Sequence, residues 1–288
     1  MRKSFLALLF FLAAASASAP PSAQFRYDLA DRSLVESRLK SFTPTNENRF
    51  QTIKQLFESA GCAGERLIAQ PVPRLKQPNL ICVLPGTGDA EILVGAHFDF
   101  VATGSGVADN WSGAALLPSL YESISNRHPR HTYKFIAFNG EEDGLVGSEF
   151  YAKKLSYADK ARIQAMVNMD TLGLSPTEVW VGHSDKELVL AAKAVANELK
   201  LPMTGIQFEQ VGSTDSESFA RRSIPSITFS SVTRDTWPIL HSTRDTIAVI
   251  RSNDYYDSYH LLAVYLNFLD EYLSQPKSER MFRKKRKQ

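Results

Sequence analysis

The stretch from Lys134 to Tyr151, KFIAFNGEEDGLVGSEFY, constrains the fold and the site more than any other part of this chain. Its β-favouring apolar residues up to Phe138 predict a strand buried on both faces, and the Asn-Gly pair that follows predicts the turn ending it. Glu141 and Glu142 then lie at the carboxyl end of a strand, where open α/β sheets build their sites. In a turn, one carboxylate can bind a metal while its neighbour faces a water molecule. An isolated Glu-Glu pair is also a common feature of solvated loops.

Strand and helix patterns alternate along most of the 288 residues. The sequence predicts strands at 66–72, 79–84, 91–98, 134–138, 164–169, 178–182, 205–210 and 226–229. It predicts helices at 45–60, 111–124, 145–155, 185–199 and 254–273, with a further short helix within 24–43. We expect Pro118 to kink the second of these helices or to delay its start. This alternation predicts an α/β fold, a three-layer α/β/α sandwich around a mixed, mostly parallel sheet with an antiparallel hairpin at one edge.

The N-terminus has the layout of a secretory signal peptide. Two basic residues precede an apolar run and the small residues that end at Ala19, and cleavage after position 17, 19 or 23 fits the small-residue rule. The apolar run is too short to span a bilayer, and no later segment approaches the required length. We therefore expect residues 1–19 to be removed, 24–275 to form a single catalytic domain, and the protein to be exported to the periplasm or the medium.

The formal charge of +2 conceals an acidic body. Without Arg2, Lys3 and the tail 276–288, the chain has 24 basic and 30 acidic residues, which gives a net charge of −6. An acidic body argues against nucleic acid as the main partner. The basic tail is expected to be a disordered, solvated end, and the alternative is a segment that holds the protein to an anionic surface.

The chain has two cysteines, Cys62 and Cys82. In an oxidising compartment they could form one disulfide between the first predicted long helix and the second predicted strand. The alternative is a pair of buried free thiols. Nothing near either cysteine has the spacing of a thiolate metal site.

A histidine near the end of the strand 91–98 and two carboxylates after it are further candidates. His97 and Asp99 form an H-x-D pattern, and a metal-bound imidazole needs its second nitrogen held by a carboxylate or carbonyl group, which Asp99 can supply. Asp109, in VADNWSG, follows a glycine-rich loop and opens a helix, where its carboxylate can reach two ions. Neither pattern is specific by itself.

The remaining candidates lie nearer the C-terminus. Asp170 ends the strand 164–169, and His241 lies in the loop LHSTRDT with Asp245 four residues on as a candidate partner. The candidate ligands are oxygen and imidazole donors without a thiolate, in the order His97, Asp109, Glu142, Asp170 and His241. Such a set suits zinc or another divalent ion, and five ligands divide between two metals when one carboxylate bridges them.

The order of these motifs resembles the M28 family of zinc-dependent metallopeptidases, which are mostly aminopeptidases. The segments H-x-D, D-N-x-S-G, N-G-E-E-x-G-x-x-G-S-x-x-Y, N-x-D-x-x-G and H-x-x-x-D-T follow one another within roughly residues 45–274. The resemblance implies the zinc-dependent exopeptidase type of fold, with two zinc ions per chain. It also implies a cis peptide bond after the bridging aspartate, between Asp109 and Asn110.

The resemblance assigns a role to each candidate residue. The metal ligands that it implies are Asp109 as the bridge, Glu142 and His241 at one ion, and His97 and Asp170 at the other. It makes Glu141 the general base, and Asp99 would orient the imidazole of His97.

Three features depart from the family pattern. Family members commonly have a Ser-Asp-His segment before the penultimate strand, whereas 213–219, STDSESF, lacks the histidine. No tyrosine can be assigned to assist a developing oxyanion. Pro118 and Trp111 alter the usual small-residue helix after the bridging aspartate, and we expect Trp111 to pack in the core or at the rim of the site.

We therefore expect hydrolysis of the N-terminal peptide bond of a peptide or a small aminoacyl substrate. A related branch, the glutaminyl cyclases, shares the fold and uses a single zinc held by the equivalents of Asp109, Glu142 and His241. A third alternative is a binding module that keeps the fold and has no metal. The sequence indicates no nucleic-acid partner and leaves the oligomeric state and the preferred N-terminal residue open.

Overall fold

The computed structural model describes residues 3–8, 24–207 and 212–282. Most of the predicted signal peptide, the end of the predicted strand 205–210 and the last residues of the basic tail lie outside these ranges. Within them, no helix combines the length and the apolarity needed to cross a bilayer.

The described residues form ten strands in two sheets, with bounds β1 Lys3–Leu8, β2 Gln24–Leu29, β3 Leu67–Gln70, β4 Asn79–Leu84, β5 Glu91–His97, β6 Thr132–Phe138, β7 Ile163–Met169, β8 Thr177–Trp180, β9 Met203–Ile206 and β10 Ser226–Ser230. The main sheet has the order β3-β4-β6-β5-β7-β10-β8-β9. Its four central strands, β6, β5, β7 and β10, run parallel, and β3 and β4 form the predicted antiparallel hairpin at one edge. The predicted mixed, mostly parallel sheet is thus confirmed.

The helices flank this sheet, with bounds α1 Arg32–Leu39, α2 Asn46–Ser59, α3 Ser112–Ala114, α4 Leu117–Ser125, α5 Val146–Lys154, α6 Tyr157–Arg162, α7 Lys186–Leu199, α8 Ser216–Ala220 and α9 Ser252–Ser274. Local chemistry sets several ends. The Thr45 hydroxyl caps α2 by accepting the backbone N–H of Asn48, and Pro118 lies in the first turn of α4, where it needs no hydrogen-bond donor. The proline therefore delays this helix, as predicted.

Both faces of the sheet are covered by packed side chains. Neighbouring residues of β5 and β6 point to opposite faces: Val94 and Phe135 lie in the larger core with α4, α7 and α9, whereas Leu93 and Ile136 lie in a smaller core with α5 and α8. This period of two is expected of a strand buried on both sides. The three-layer prediction is confirmed.

The sequence misplaced some of the smaller elements. The region 24–43 contains the expected short helix, α1, but it begins with a strand that was not expected, β2, which pairs antiparallel with β1. The predicted strand 205–210 begins two residues earlier, as β9. The sequence does not predict α6 and α8, because helices this short show no clear hydrophobic period. Cys62 and Cys82 form the disulfide between the end of α2 and β4.

Candidate metal centre

The parallel strands β5, β6 and β7 are neighbours, so their carboxyl ends meet at one edge of the sheet. His97 is the last residue of β5, Glu141 and Glu142 follow the turn after β6, and Asp170 follows β7 directly. Gly140, which begins that turn, has a φ of 77°, a conformation that a residue with a side chain adopts at a cost. The fold thus brings four of the predicted site residues together.

Asp109 enters the same place from the turn Val107–Trp111. The peptide bond between Asp109 and Asn110 is cis, as the family resemblance implied. The Asn110 amide fastens this turn to β7, since Nδ2 donates to the carbonyl of Met169 at 2.9 Å and Oδ1 accepts the N–H of Thr171 at 3.1 Å.

The two carboxylate oxygens of Asp109 face different histidines. Oδ1 lies 3.4 Å from Nε2 of His97, and Oδ2 lies 3.2 Å from Nε2 of His241. One carboxylate therefore stands between two imidazoles, which is the arrangement required of a bridging ligand.

Each histidine has further carboxylates beside it. Nε2 of His241 lies 3.0 Å from Glu142, and Nε2 of His97 lies 3.8 Å from both Glu141 and Asp170. Two sets of three residues could each hold a metal ion. The first is His97, Glu141 and Asp170, and the second is His97, Asp109 and Glu142. Within each set, one ligand atom from every residue lies within 4.8 Å of the others. These six residues, including His241, form what we call the candidate centre.

Asp99 contacts both His97 and the turn that carries the two glutamates. Nδ1 of His97 lies 3.2 Å from the backbone carbonyl oxygen of Asp99 and 3.7 Å from its carboxylate. The carboxylate accepts the backbone N–H groups of Glu141 at 3.2 Å and Glu142 at 3.1 Å. Asp99 thus contacts the imidazole mainly through its carbonyl group, while its side chain fixes the turn that carries both glutamates.

Burial, and after it the crowding of the acids, shifts the pKa values of the two glutamates. Burial, followed by repulsion from Asp109, raises the pKa of Glu142 to about 7. Burial also raises the pKa of Glu141 to about 10, and repulsion from Asp170 adds to the shift although His97 opposes it.

The pKa values of the two histidines are raised as well. Burial alone would lower the pKa of His97, but Glu141 and then Asp109 and Asp170 raise it well above its usual value. The hydrogen bond with Asp109 raises the pKa of His241 to about 9. Burial opposes ionisation of Asp109, yet both imidazoles outweigh it and lower its pKa. A positive charge placed between these carboxylates is therefore electrostatically favourable.

A divalent cation fits this donor set. Nε2 of His97 and Oε1 of Glu142 are buried and have no hydrogen-bond partner among the described residues. Buried polar atoms of this kind are uncommon unless a ligand satisfies them. The donors are carboxylate oxygens and imidazole nitrogens, which zinc accepts, and a cation among them would relieve the repulsion between the acids.

Asp245 has a different partner from the expected one. The sequence predicts that Asp245 supports His241, but in the structure its carboxylate accepts the backbone N–H groups of Ala108 at 2.7 Å and Asp109 at 3.1 Å. It therefore positions the bridging aspartate. The sequence could not indicate this, because the contact joins loops more than a hundred residues apart.

Two residues of the atypical segment 213–219 interact with the centre, Thr214 by a hydrogen bond and Asp215 through its charge. The Thr214 hydroxyl donates to Oδ2 of Asp170 at 2.7 Å. Asp215 is buried, and burial raises the pKa of its carboxyl group to about 7. In the sequence, this segment departs from the family pattern only by its missing histidine. Trp111 is fully buried and donates through Nε1 to the carbonyl of Arg38, so the expected packing role is confirmed.

A cavity of about 270 Å³ opens onto the candidate centre. Its floor includes acids of the centre, and its walls carry apolar side chains, namely Trp180, Val232, Trp237 and Leu240. A cavity of this size is at the lower limit of small-molecule sites, so it suits one or two residues of a chain better than a folded loop.

The chain is similar to known peptidases. The model of peptidase family M28 matches residues 79–266. Leupeptin-inactivating enzyme 1 of Streptomyces exfoliatus is 32% identical over 178 residues, which are 61% of this chain and 38% of that protein. The chain spans less than two thirds of the length of the curated relatives that it matches.

Solved structures share the fold. A zinc aminopeptidase from Bacillus subtilis superposes with a TM-score of 0.61 at 23% identity, over 70% of this chain and 51% of that one. Glutaminyl cyclase from Porphyromonas gingivalis superposes with a TM-score of 0.64 at 16% identity, over 82% of this chain and 96% of that one.

Proposed function

This chain belongs to peptidase family M28, and from that membership and its candidate centre we propose that it is a zinc-dependent aminopeptidase. The observation that carries the proposal is the Asp109 carboxylate, whose oxygens lie 3.4 Å and 3.2 Å from the imidazoles of His97 and His241. A shared carboxylate between two imidazoles is what a pair of metal ions requires.

Two zinc ions would be held by the five predicted ligands. Asp109 would bridge, with His241 and Glu142 completing one position and His97 and Asp170 completing the other. When bound, zinc supplies Lewis acidity to a carbonyl group and makes water more acidic at neutral pH.

Glu141 is the proposed general base. It lies beside the ligands, with Oε2 3.8 Å from Nε2 of His97, and Asp99 fixes its backbone N–H. From this position the carboxylate would accept the proton of the attacking water and pass it to the amine that leaves.

The substrate would be a peptide or a small aminoacyl compound with a free α-amine. The acids on the floor of the cavity attract an ammonium group, and the apolar walls suit the adjoining side chain. This combination favours removal of an N-terminal residue over cleavage within a chain.

A panel of aminoacyl reporters tests the proposal. We expect turnover of at least one reporter, loss of turnover with a chelator, recovery on addition of zinc, and no turnover of the N-acetylated form of the same reporter. A zinc-loaded protein that hydrolyses none of the panel would contradict the proposal.

Glutaminyl cyclase activity is the second candidate. The superposition on the Porphyromonas gingivalis cyclase covers 96% of that chain, a larger share than the 51% of the Bacillus subtilis aminopeptidase. Ammonia release from an N-terminal glutamine peptide, with one zinc per chain, would favour the cyclase. Hydrolysis of aminoacyl reporters with two zinc ions would favour the peptidase.

We further propose that the protein is exported. The signal-like N-terminus supports this, and so does the disulfide between Cys62 and Cys82, because disulfides persist in oxidising compartments. Expression in a Gram-negative host, followed by fractionation and mass measurement, should place a shortened chain in the periplasm or the medium. Full-length protein confined to the cytoplasm would contradict export.

A further inference from the structure

Arg49 is a fully buried arginine on α2, outside the region that matches the family model. A buried guanidinium is unfavourable unless its hydrogen bonds are satisfied. Here they are satisfied by backbone carbonyl groups. Nε donates to Thr43 at 3.1 Å, Nη1 to Phe98 at 2.9 Å, and Nη2 to Gly106 at 3.0 Å and also to Ser105.

Three of these carbonyl groups, those of Phe98, Ser105 and Gly106, lie at the two ends of one loop. Phe98 directly follows the proposed ligand His97, and Gly106 precedes the proposed bridge Asp109 by three residues. The planar guanidinium of Arg49 thus connects the backbone just after His97 to the backbone just before Asp109.

Close packing leaves the guanidinium little freedom. Its carbon lies 4.0 Å from the centre of the Phe100 ring and 5.6 Å from that of Trp111. Gly106 has a φ of 54°, and a Cβ atom there would lie 2.3 Å from Cβ of Phe100. The loop can therefore fold back over Arg49 only with glycine at this position.

Asp245 holds the same loop from the other side. Its carbonyl oxygen accepts the N–H of Ser105 at 2.8 Å, and its carboxylate accepts the N–H groups of Ala108 and Asp109. Burial lowers the pKa of Arg49 to about 10, and attraction to Asp245 and other acids opposes that shift, so the guanidinium stays protonated at neutral pH.

We propose that Arg49 is a positioning residue for the metal centre, which fixes the loop between His97 and Asp109 in its ligating form before metal binds. The proposal rests on the proposed function in taking these two residues as zinc ligands. Since the guanidinium contacts neither ligand side chain directly, it acts through the backbone.

The test compares Arg49→Lys and Arg49→Gln with a matched control, Arg38→Lys. Arg38 is also a buried arginine, but it pairs with Glu122 and Ser119 away from the centre. Zinc affinity is measured by competition with a chromophoric chelator, at a temperature where circular dichroism shows every variant folded. Hydrogen exchange of residues 98–109 is measured on the metal-free proteins.

We expect both Arg49 variants to bind zinc at least ~10-fold more weakly, as for other residues that orient ligands, and to exchange faster across the loop. Lysine keeps the charge, yet a single ammonium group cannot reach the carbonyl groups of Phe98, Ser105 and Gly106 together. The Arg38 control should lose thermal stability without losing zinc affinity.

Three results would overturn the proposal. Wild-type affinity in Arg49→Lys would mean that charge alone suffices. Equal loss of affinity in the Arg38 control would mean that any buried arginine has this effect through stability. A wild-type protein that binds no zinc would overturn the proposed function and this inference with it, a result distinct from the other two.

Discussion

His241 places Nε2 3.0 Å from Oε2 of Glu142, and the histidine side chain is 55% exposed whereas that of the glutamate is 12% exposed. This pair is therefore the open half of the candidate centre, and the half around His97 is buried. Removal of the exposed imidazole should empty one metal position without disturbing the core.

We accordingly expect His241→Ala to reduce bound zinc from two ions per chain toward one. Elemental analysis after dialysis against metal-free buffer measures this ratio. His183→Ala, which removes a half-exposed histidine near Glu217, is the control and should keep both ions. Two tightly held ions in His241→Ala would contradict the ligand assignment.

Glu141→Gln should separate metal binding from turnover. The amide keeps the shape of the side chain and cannot accept the proton of water, so we expect kcat to fall about 10²–10⁴-fold while zinc content stays unchanged. Steady-state kinetics on an aminoacyl reporter and elemental analysis measure the two effects. Asp143→Asn removes an exposed carboxylate two residues away and should leave kcat as it was. Wild-type kcat in Glu141→Gln would rule out the base assignment.

The strand-end residues could be predicted because parallel strands bring their carboxyl ends to one edge. A polar residue after a buried run, as at His97 or Asp170, is then placed by the sheet itself. Asp109 and His241 lie on loops, so the sheet does not place them. The sequence indicates them as candidate donors by their residue types and their order, and the family resemblance gives each its role.

The supporting contacts could not be predicted in this way. Arg49, Asp245 and Thr214 act across distances in the chain at which neither hydrophobic period nor spacing carries information. Asp245 shows the difficulty, since its proximity in sequence suggested His241 as its partner while the fold gave it the backbone of Asp109.

Asp99→Asn should weaken the centre through its backbone. Each oxygen of Asp99 accepts one N–H, from Glu141 and from Glu142, and an asparagine would present an NH₂ group to one of them. A donor facing a donor should displace the turn and weaken zinc affinity about 10–100-fold. Chelator competition measures the change, with the exposed Asp89→Asn as control. Unchanged affinity would show that the turn holds without this carboxylate.

The disulfide between Cys62 and Cys82 should contribute mainly to stability. It joins residues 20 positions apart, and a loop of that length predicts about 3 kcal/mol. Replacement of both cysteines by alanine should lower Tm by roughly 10 °C and leave kcat/KM unchanged at 25 °C. Reductant should lower the Tm of the wild type and have no effect on the double variant. A reductant effect on both proteins would point to a different cause.

Glu178 should make the protein less stable as the pH rises. It lies on β8, is buried, and has Oε2 without a hydrogen-bond partner among the described residues, and burial raises its pKa to about 7. In the unfolded chain a glutamate ionises near pH 4.3, so the unfolded state loses its proton first as the pH rises. The stabilising effect of the protonated form is therefore complete below about pH 4 and is lost as the pH passes through 7.

The variant Glu178→Gln tests this, because the glutamine side chain stays neutral at every pH. We expect the substitution to raise the free energy of unfolding by about 1–3 kcal/mol at pH 8 and to change that free energy little at pH 4. Urea titrations at both pH values measure the difference, with the exposed Glu65→Gln as control. An equal gain at both pH values would show that packing, and not ionisation of Glu178, is responsible.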